Sequence, residues 1–225
     1  MTTALAFEDV SYVAGGRRLL DRISFALADG ERLAIVGANG SGKSLITRMA
    51  AGLIRPASGR VAVLGARWTG QDEALRRRVG VVLQQGALLT DLTVAENVRF
   101  RLGHVLRSGE RRAAIRVDRA LSDFGMEYAG DQPVGALSLG ERRRADLAQA
   151  LVTDPDLLVL DDVFDGIDAA SAADLEARIL RLTARRRRTL LFLTHDRERA
   201  GRMAERIVGL ENGKLAAPIA QQLEG

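Results

Sequence analysis

One stretch of this sequence has the residue types and spacing needed to bind phosphate groups. Eight consecutive residues, called here the phosphate loop, fit the pattern GxxxxGK[ST]: Gly37, Ala38, Asn39, Gly40, Ser41, Gly42, Lys43 and Ser44. Glycine allows backbone angles that a side chain would block, so such a loop can turn many amide N–H groups towards one phosphate. We expect Lys43 to add positive charge near the β and γ phosphates of a nucleotide and Ser44 to coordinate Mg²⁺. The alternative, an ordinary glycine-rich turn before a helix, does not account for the adjacent Lys-Ser pair.

A pair of carboxylates lies farther along the chain. Asp161 and Asp162 directly follow the apolar run at residues 157–160. Open α/β sheets bind their ligands at the carboxyl ends of such strands. We expect Asp161 to hold Mg²⁺, largely through water, and Asp162 to polarise the water that attacks the γ phosphate. Two aspartates can also simply cap a turn or a helix, and the phosphate loop is what favours the nucleotide interpretation.

The elements that would position these residues follow from the hydrophobic pattern. Nearly continuous apolar runs at residues 33–36, 79–83, 157–160 and 190–193 predict parallel strands covered on both faces. Near the start of the chain, residues 5–10 and the alternating Ile23, Phe25 and Leu27 predict a half-buried antiparallel sheet. Thr93 and Glu96 have capping-box spacing at the start of a polar, helix-favouring stretch. We therefore predict one α/β domain over residues 1–225, with a helical subdomain at about 86–150.

Composition excludes several kinds of site. The chain of 225 residues has no cysteine and two histidines, so we expect no disulfide and no zinc site, and any metal should be held by oxygen. The net charge of +4 could indicate nucleic acid, but the arginine runs are scattered and only 4% of the residues are aromatic. We expect no nucleic-acid partner; a basic surface facing anionic lipid is the alternative.

No apolar run reaches the roughly 18 residues that span a bilayer, and the first residues lack signal-peptide character, so we expect a cytoplasmic protein.

Further residues appear in an order that resembles one known family, the ATP-binding cassette (ABC) family, across nearly the whole chain. They are Tyr12, Gln84 after the run at 79–83, the segment Leu137-Ser138-Leu139-Gly140-Glu141, Asp168, and His195 after the run at 190–193. The segment at residues 137–141, called here the signature segment, is similar to the family's Leu-Ser-Gly-Gly-Gln. Each residue alone has a simpler interpretation: a packing tyrosine, a surface glutamine, a capped helix at Ser138, or a structural histidine.

The resemblance implies a P-loop NTPase fold of the ABC type, a mixed or parallel sheet core, and ATP with Mg²⁺ as ligands. It implies that Tyr12 stacks on adenine, that Gln84 reaches Mg²⁺ and the attacking water, and that His195 senses the γ phosphate. Asp168 would lie in the loop that links two sites. Ser138, Gly140 and Glu141 would contact the γ phosphate bound to an opposite subunit. Lys43, Gln84, Asp162 and His195 are then the expected catalytic set.

The function implied by this resemblance is that of a transporter's ATPase subunit. Two copies, in the simplest case a homodimer, would close on ATP and drive a separate integral membrane permease from the cytoplasmic face of the inner membrane. The surface between Gln84 and about Val98 would receive a helix of that permease. Residues 84–98 also resemble lipid-transport cassettes of the Mce and Mla type, although many importers share parts of this segment.

The sequence departs from the family pattern at three positions. Asp162 stands where the family usually has Glu, Val163 where it has Pro, and Leu139 where it has Gly. A carboxylate displaced by about 1 Å can cost on the order of a hundredfold in rate, so hydrolysis could be slow. A regulatory clamp that binds ATP and scarcely hydrolyses it is therefore an alternative function. A cassette serving translation or DNA repair is a third, and the short chain disfavours it.

Overall fold

The computed structural model describes residues 2–103 and 109–219, and its N-terminal part is an antiparallel sheet. The strands are β1 (Thr3–Ala14), β2 (Arg17–Ala28), β4 (Ser58–Val63) and β5 (Ala66–Arg67), arranged in the order β2-β1-β4-β5. Gly15 and Gly16 both have positive φ, which allows the tight connection from β1 to β2. The predicted antiparallel lobe is confirmed, while β4 and β5 were not predicted.

The second sheet has six strands and carries the phosphate loop. Its members are β3 (Arg32–Val36), β6 (Val79–Val82), β7 (Leu157–Asp161), β8 (Thr189–Thr194), β9 (Arg206–Glu211) and β10 (Lys214–Ile219). The order is β10-β9-β3-β8-β7-β6, with parallel pairing everywhere except between β9 and β10. The four predicted parallel strands are confirmed. Because β3, β6, β7 and β8 run in the same direction, the segments after them emerge at one edge of the sheet.

Burial on both faces explains why these strands are apolar throughout. In β8, Leu190 and Phe192 pack into one apolar cluster, and Leu191 and Leu193 pack into another on the opposite face. The first cluster includes residues of the helices that follow β6, and the second joins the sheet to the antiparallel lobe. A strand with helices or a second sheet on each side has no face for polar residues.

Helices connect the strands and cover the larger sheet. They are α1 (Lys43–Ala50), α2 (Glu73–Arg77), α3 (Val94–Gly103), α4 (Glu110–Asp123), α5 (Leu139–Leu151), α6 (Ala169–Arg186) and α7 (Arg197–Met203), with 3₁₀ turns at Glu127–Ala129 and Val134–Ala136. The predicted capping box is present before α3: Glu96 N–H donates to Thr93 Oγ1 (3.2 Å), and Thr93 N–H donates to the Glu96 carboxylate (2.8 Å). Within the described ranges, no helix combines the length and apolar character needed to cross a membrane.

Candidate functional site

The phosphate loop connects β3 to α1, and three of its glycines are required by geometry. Gly40 and Gly42 have φ of +81° and +110°, where a side chain would be strained. A Cβ on Gly37 would lie 2.5 Å from the Leu210 carbonyl oxygen and 2.5 Å from Ser41 Oγ. The loop therefore wraps closely against β9 and its own turn, and it ends at the N-terminus of α1, where backbone N–H groups attract anions.

Lys43 is the buried cation of this loop. Its side chain is 4% exposed, and Nζ donates to the carbonyl oxygens of Gly37 (2.7 Å) and Ala38 (3.2 Å). Nζ also lies 3.3 Å from Asp162 Oδ2, whose side chain is 2% exposed. The ammonium group is thus held under the loop, between its carbonyl groups and the carboxylate that follows β7.

Asp161 and Ser44 offer side-chain oxygens beside Lys43, and the Asp161 carboxyl is buried. The Ser44 and Thr47 hydroxyls hydrogen-bond the Asp161 carboxyl, while Asp161 Oδ1 is buried without a partner. Burial raises the pKa of Asp161 above its usual value, and the neighbouring Asp162 carboxylate acts in the same direction. A buried oxygen without a hydrogen-bond donor, next to a hydroxyl, suits a hard cation such as Mg²⁺, which prefers oxygen ligands. The residues present therefore fit the predicted metal.

Asp162 connects the loop to His195. The His195 backbone N–H and ring Nδ1 both lie 3.2 Å from Asp162 Oδ1. Asp165 Oδ1 is 3.6 Å from the same Nδ1, and Asp165 Oδ2 accepts a hydrogen bond from Gln84 Nε2 (3.3 Å). The structure thus brings all four predicted catalytic residues, which follow β3, β6, β7 and β8, into one continuous cluster, and it adds Asp165.

A cavity of about 760 Å³ opens beside the phosphate loop. Its lining combines loop residues with His195 and with residues near the end of β9: Val36, Gly37, Ala38, Asn39, Gly40, Ser41, His195, Arg197, Gly209, Leu210, Glu211 and Asn212. This volume lies within the range of about 300–1,000 Å³ that is typical of small-molecule sites. Tyr12 does not line the cavity and packs against the apolar cluster of the antiparallel lobe, so its contact with adenine stays a prediction.

The signature segment starts α5. Ser138 Oγ accepts from Glu141 N–H (3.3 Å) and the Glu141 carboxylate accepts from Ser138 N–H (2.9 Å), so the predicted capping box is present. Asp168 is the N-cap of α6, and its carboxylate accepts a hydrogen bond from Ser171 N–H (2.9 Å). Ser138, Gly140, Glu141 and Asp168 do not line the cavity beside the phosphate loop of their own chain. Their predicted contacts with ATP on another subunit stay predictions.

Known proteins share both the sequence and this architecture. The ABC transporter family profile matches residues 20–165. The chain belongs to the ABC transporter family. A Nod factor export ATP-binding protein I of Rhizobium johnstonii is 36% identical over 214 residues, which cover 95% of this chain and 68% of that protein. A probable sulfate/thiosulfate import ATP-binding protein of Chlorella vulgaris is 36% identical over 212 residues, covering 94% of this chain and 89% of that one.

Solved ABC cassettes have the same fold. The dimeric structure of MJ0796, a bacterial ABC transporter cassette, superposes with a TM-score of 0.89 at 25% identity and covers 98% of this chain and 99% of that chain. The cbiO1 protein of Clostridium perfringens, part of the transporter complex cbiONQ, has a TM-score of 0.84 at 26% identity and covers 97% and 88%. The predicted P-loop fold of the ABC type is confirmed, and the chain is an ABC ATPase.

Two buried residues of the ABC ATPase that sequence analysis missed hold the segment around Gln84. Arg143 on α5 donates to the carbonyl oxygens of Leu83 (3.3 Å) and Gln84. Asp146 Oδ1, one turn later, accepts from Ala87 N–H (3.1 Å). The helix that begins with the signature segment therefore fixes the backbone on both sides of Gln84. In the sequence, the only sign of this anchoring role is that Arg143 and Asp146 are three residues apart on one helix and so lie on the same face. The sequence does not indicate which carbonyl groups Arg143 contacts.

Asp146 should make the stability of the fold depend on pH. Burial raises the pKa of its carboxyl from 3.8 to about 6, although Ala87 N–H and Arg143 act in the opposite direction. A carboxyl with a raised pKa in the folded state contributes stability that is complete below pH 3.8 and is lost as pH rises through about 6. We expect Asp146→Asn, which keeps an oxygen for Ala87 N–H, to raise the free energy of unfolding at pH 8 by about 1–3 kcal/mol.

Denaturant unfolding of wild type and Asp146→Asn at pH 5, 6, 7 and 8 measures this effect. The difference between the two proteins should shrink towards pH 5, because the wild-type carboxyl then binds a proton. Asp174→Asn is the matched control, since Asp174 is 40% exposed and pairs with Arg144 and Arg178 on the surface. Equal pH slopes in wild type and Asp146→Asn would contradict the assignment of the pKa to Asp146.

Proposed function

We propose that this ABC ATPase binds Mg²⁺-ATP in the cavity beside the phosphate loop and hydrolyses it to drive a membrane permease. The observation that carries the proposal is the buried contact between Lys43 and Asp162 at the edge of the sheet where the phosphate loop begins. A buried ion pair costs desolvation free energy and adds little to stability by itself. A site for a polyphosphate explains why a lysine and a carboxylate are kept there.

The chain's own residues then divide the work on ATP. Backbone N–H groups of the loop and of the first turn of α1 bind the phosphate oxygens, and Lys43 neutralises charge on the β and γ phosphates. Asp162 accepts a hydrogen bond from the attacking water, whose oxygen bonds to the γ phosphorus as the bond to the bridging oxygen of ADP breaks. His195, fixed by Asp162, donates to the γ phosphate, and Gln84 orients the same water. Mg²⁺, when bound through Ser44, Asp161 and Gln84, supplies additional positive charge to the phosphate oxygens.

Two copies would complete each site. Ser138, Gly140 and Glu141 lie at the N-terminus of α5, where backbone N–H groups attract anions, but they are absent from the cavity lining in their own chain. A head-to-tail homodimer would place this helix start over the γ phosphate held by the partner, with Asp168 between the two sites. Leu139, 44% exposed, is the bulky residue that this contact must accommodate.

A groove lined in part by Ala87 and Leu89, within the segment at residues 84–98, supports docking of a permease helix. It has a volume of about 460 Å³ and is lined by Glu73, Arg76, Arg77, Ala87, Leu89, Phe100, Arg101, Gln149 and Thr153. Leu89 and Phe100 are 47% and 56% exposed, so the groove offers an apolar floor. Three arginines against one glutamate make its rim basic. We propose that the occupant is a cytoplasmic helix of the permease with apolar residues on one face and an acidic residue beside them.

Charging the apolar floor should detach the ATPase from membranes. We expect Leu89→Asp to lower the fraction of the protein that sediments with membranes of its host about tenfold, while ATP turnover of the purified protein stays within about twofold, because a buried apolar anchor is worth on the order of 1–2 kcal/mol. Ile115→Asp on α4 is the matched control, since Ile115 is 58% exposed and lies outside the groove. Equal sedimentation of the two variants and wild type would contradict docking in this groove.

The proposed function also includes a location and a cargo. Docking to a permease would place the protein on the cytoplasmic face of the inner membrane, and the composition favours no nucleic-acid partner. The resemblance of residues 84–98 to lipid-transport cassettes predicts a lipid cargo. This stays a prediction, because the names of the two relatives concern Nod factor export and sulfate or thiosulfate import.

A further inference from the structure

Asp165 lies between two residues of the expected catalytic set without being one of them. Its Oδ2 accepts from Gln84 Nε2 at 3.3 Å, and its Oδ1 is 3.6 Å from His195 Nδ1. Its own backbone N–H donates to the Asp162 carbonyl oxygen at 3.2 Å, which closes a turn directly after β7. The side chain is 30% exposed, so it lies at the wall of the site and not in the apolar core.

We propose that Asp165 is a positioning residue. It sets the orientation of the Gln84 amide, and together with Asp162 it holds the His195 ring through the Nδ1 atom. The proposal rests on the proposed function, because it assigns Asp165 a role through Gln84 and His195. It makes a second carboxylate after β7, besides Asp162, part of the hydrolytic site, although Asp165 contacts neither the phosphate loop nor Lys43.

The two ends of the Gln84 amide group differ in what they can bind. A side-chain amide has an oxygen that accepts and an NH₂ group that donates, and either could face the nucleotide. A carboxylate can only accept, so Asp165 takes the NH₂ end of Gln84. The Gln84 carbonyl oxygen, Oε1, is then free to serve as a ligand for Mg²⁺ or as an acceptor for water. Within the described residues, Asp165 is the one side-chain hydrogen-bond partner of the Gln84 amide.

The backbone around both residues is held firmly enough to make this contact persistent. Arg143 fixes the Gln84 carbonyl oxygen from α5, so the side chain extends from an anchored point. On the other side, Asp162 has φ of +45°, and the turn from Asp162 to Asp165 directs the Asp165 carboxylate back towards the site. Asp162 and Asp165 face the same imidazole nitrogen: Asp162 Oδ1 lies within hydrogen-bond distance of His195 Nδ1, and Asp165 Oδ1 is a second, more distant carboxylate oxygen at 3.6 Å.

Replacing Asp165 by alanine should lower turnover without weakening ATP binding. We expect kcat to fall about tenfold or more, the size of effect typical when a ligand loses its outer hydrogen-bond partner. The Kd for ATP should stay within about twofold, because the phosphate loop and Lys43 do not contact Asp165. Asp165→Asn keeps one accepting oxygen and should lie between wild type and alanine. Steady-state turnover and equilibrium binding of a fluorescent ATP analogue, on protein whose thermal unfolding matches wild type, measure these quantities.

A double-mutant cycle with Gln84 separates positioning from a general structural effect. If Asp165 acts through Gln84 and His195, adding Asp165→Ala to a protein that already carries Gln84→Ala should cost clearly less turnover than Asp165→Ala costs in wild type, because only the part that acts through His195 remains. Fully additive losses would overturn the proposal, and so would a wild-type kcat in Asp165→Ala. Asp174→Ala, a carboxylate of similar exposure on α6, is the matched control and should turn over ATP as wild type does.

ATP turnover of wild type and Lys43→Ala distinguishes a failure of this inference from a failure of the proposed function. If wild type turns over ATP no faster than Lys43→Ala, the proposed function fails and Asp165 has no reaction to support. If wild type is active and Lys43→Ala is not, the proposed function stands, and the Asp165 variants alone decide the inference.

Discussion

Lys43→Ala is expected to reduce ATP turnover by about 10²- to 10³-fold, because it removes a preorganised positive charge from the place where negative charge develops. Lys43 is buried and held by two loop carbonyl groups and Asp162, so no other cation of the described chain can take its position without rearrangement. Steady-state release of phosphate with Mg²⁺ and ATP measures the loss. ATP binding should weaken as well, since the same ammonium group contacts the phosphates before hydrolysis.

Two further lysine variants make this result specific. Lys43→Arg keeps the charge but places a planar fork where a compact ammonium group fits, so we expect it to remain strongly impaired. Lys214→Ala is the control for the loss of a lysine, because Lys214 is 67% exposed and its ammonium group pairs with Asp21 and not with a residue of the phosphate loop. A Lys43→Ala protein that folds and hydrolyses ATP at the wild-type rate would contradict the assignment of this site.

Local patterns in the sequence were sufficient for the parts of the site that lie within one segment. The phosphate loop is defined by consecutive residues, and its glycines are required at Gly37, Gly40 and Gly42 by geometry that the pattern implies. The apolar runs predicted β3, β6, β7 and β8 because burial on both faces leaves a strong signal. Since parallel strands end at the same edge, the convergence of Asp162 and His195 also followed from the sequence.

Contacts between distant segments were not predictable in the same way. Asp165 and Gln84 are separated by 81 positions, and their pairing depends on the turn after β7 and on the anchoring of Gln84 from α5. β9 was missed although its carbonyl oxygen at Leu210 is what excludes a side chain at Gly37. Its buried run Ile207-Val208-Gly209-Leu210 resembles residues 79–83, so a signal for the strand was present, while its place beside β3 is decided by packing of the whole chain.

The structure adds a physical reason to the departure from glutamate at residue 162. Asp162 has φ of +45°, in the left-handed region that aspartate tolerates better than most other residues. Its short side chain contacts Lys43 on one oxygen and His195 on the other, with 2% of the side chain exposed. Aspartate thus suits the backbone and the ion pair, while a glutamate at residue 162 would carry its carboxylate farther from the backbone.

Asp162→Glu is therefore expected to raise kcat by about tenfold or more, since one added methylene extends the carboxylate by the roughly 1 Å that matters for positioning a reactant. The same change should lower the free energy of unfolding by about 1 kcal/mol, because glutamate fits the left-handed backbone less well. Phosphate release and denaturant unfolding measure the two effects on one pair of proteins. Opposite signs for turnover and stability are the specific expectation.

Asp162→Asn is the control that separates the charge of residue 162 from its length. Asparagine retains the shape and the tolerance for positive φ but cannot polarise water as a carboxylate does, so turnover should fall on the order of a hundredfold. ATP should still bind and bring two copies together, because the loop, Lys43 and the start of α5 are unchanged. Light scattering with ATP and with ADP measures this dimerisation.

If wild type and Asp162→Asn are equally inactive while Asp162→Glu hydrolyses ATP, the shorter carboxylate has made this cassette a nucleotide clamp. If wild type is active and Asp162→Asn is not, Asp162 itself orients the water.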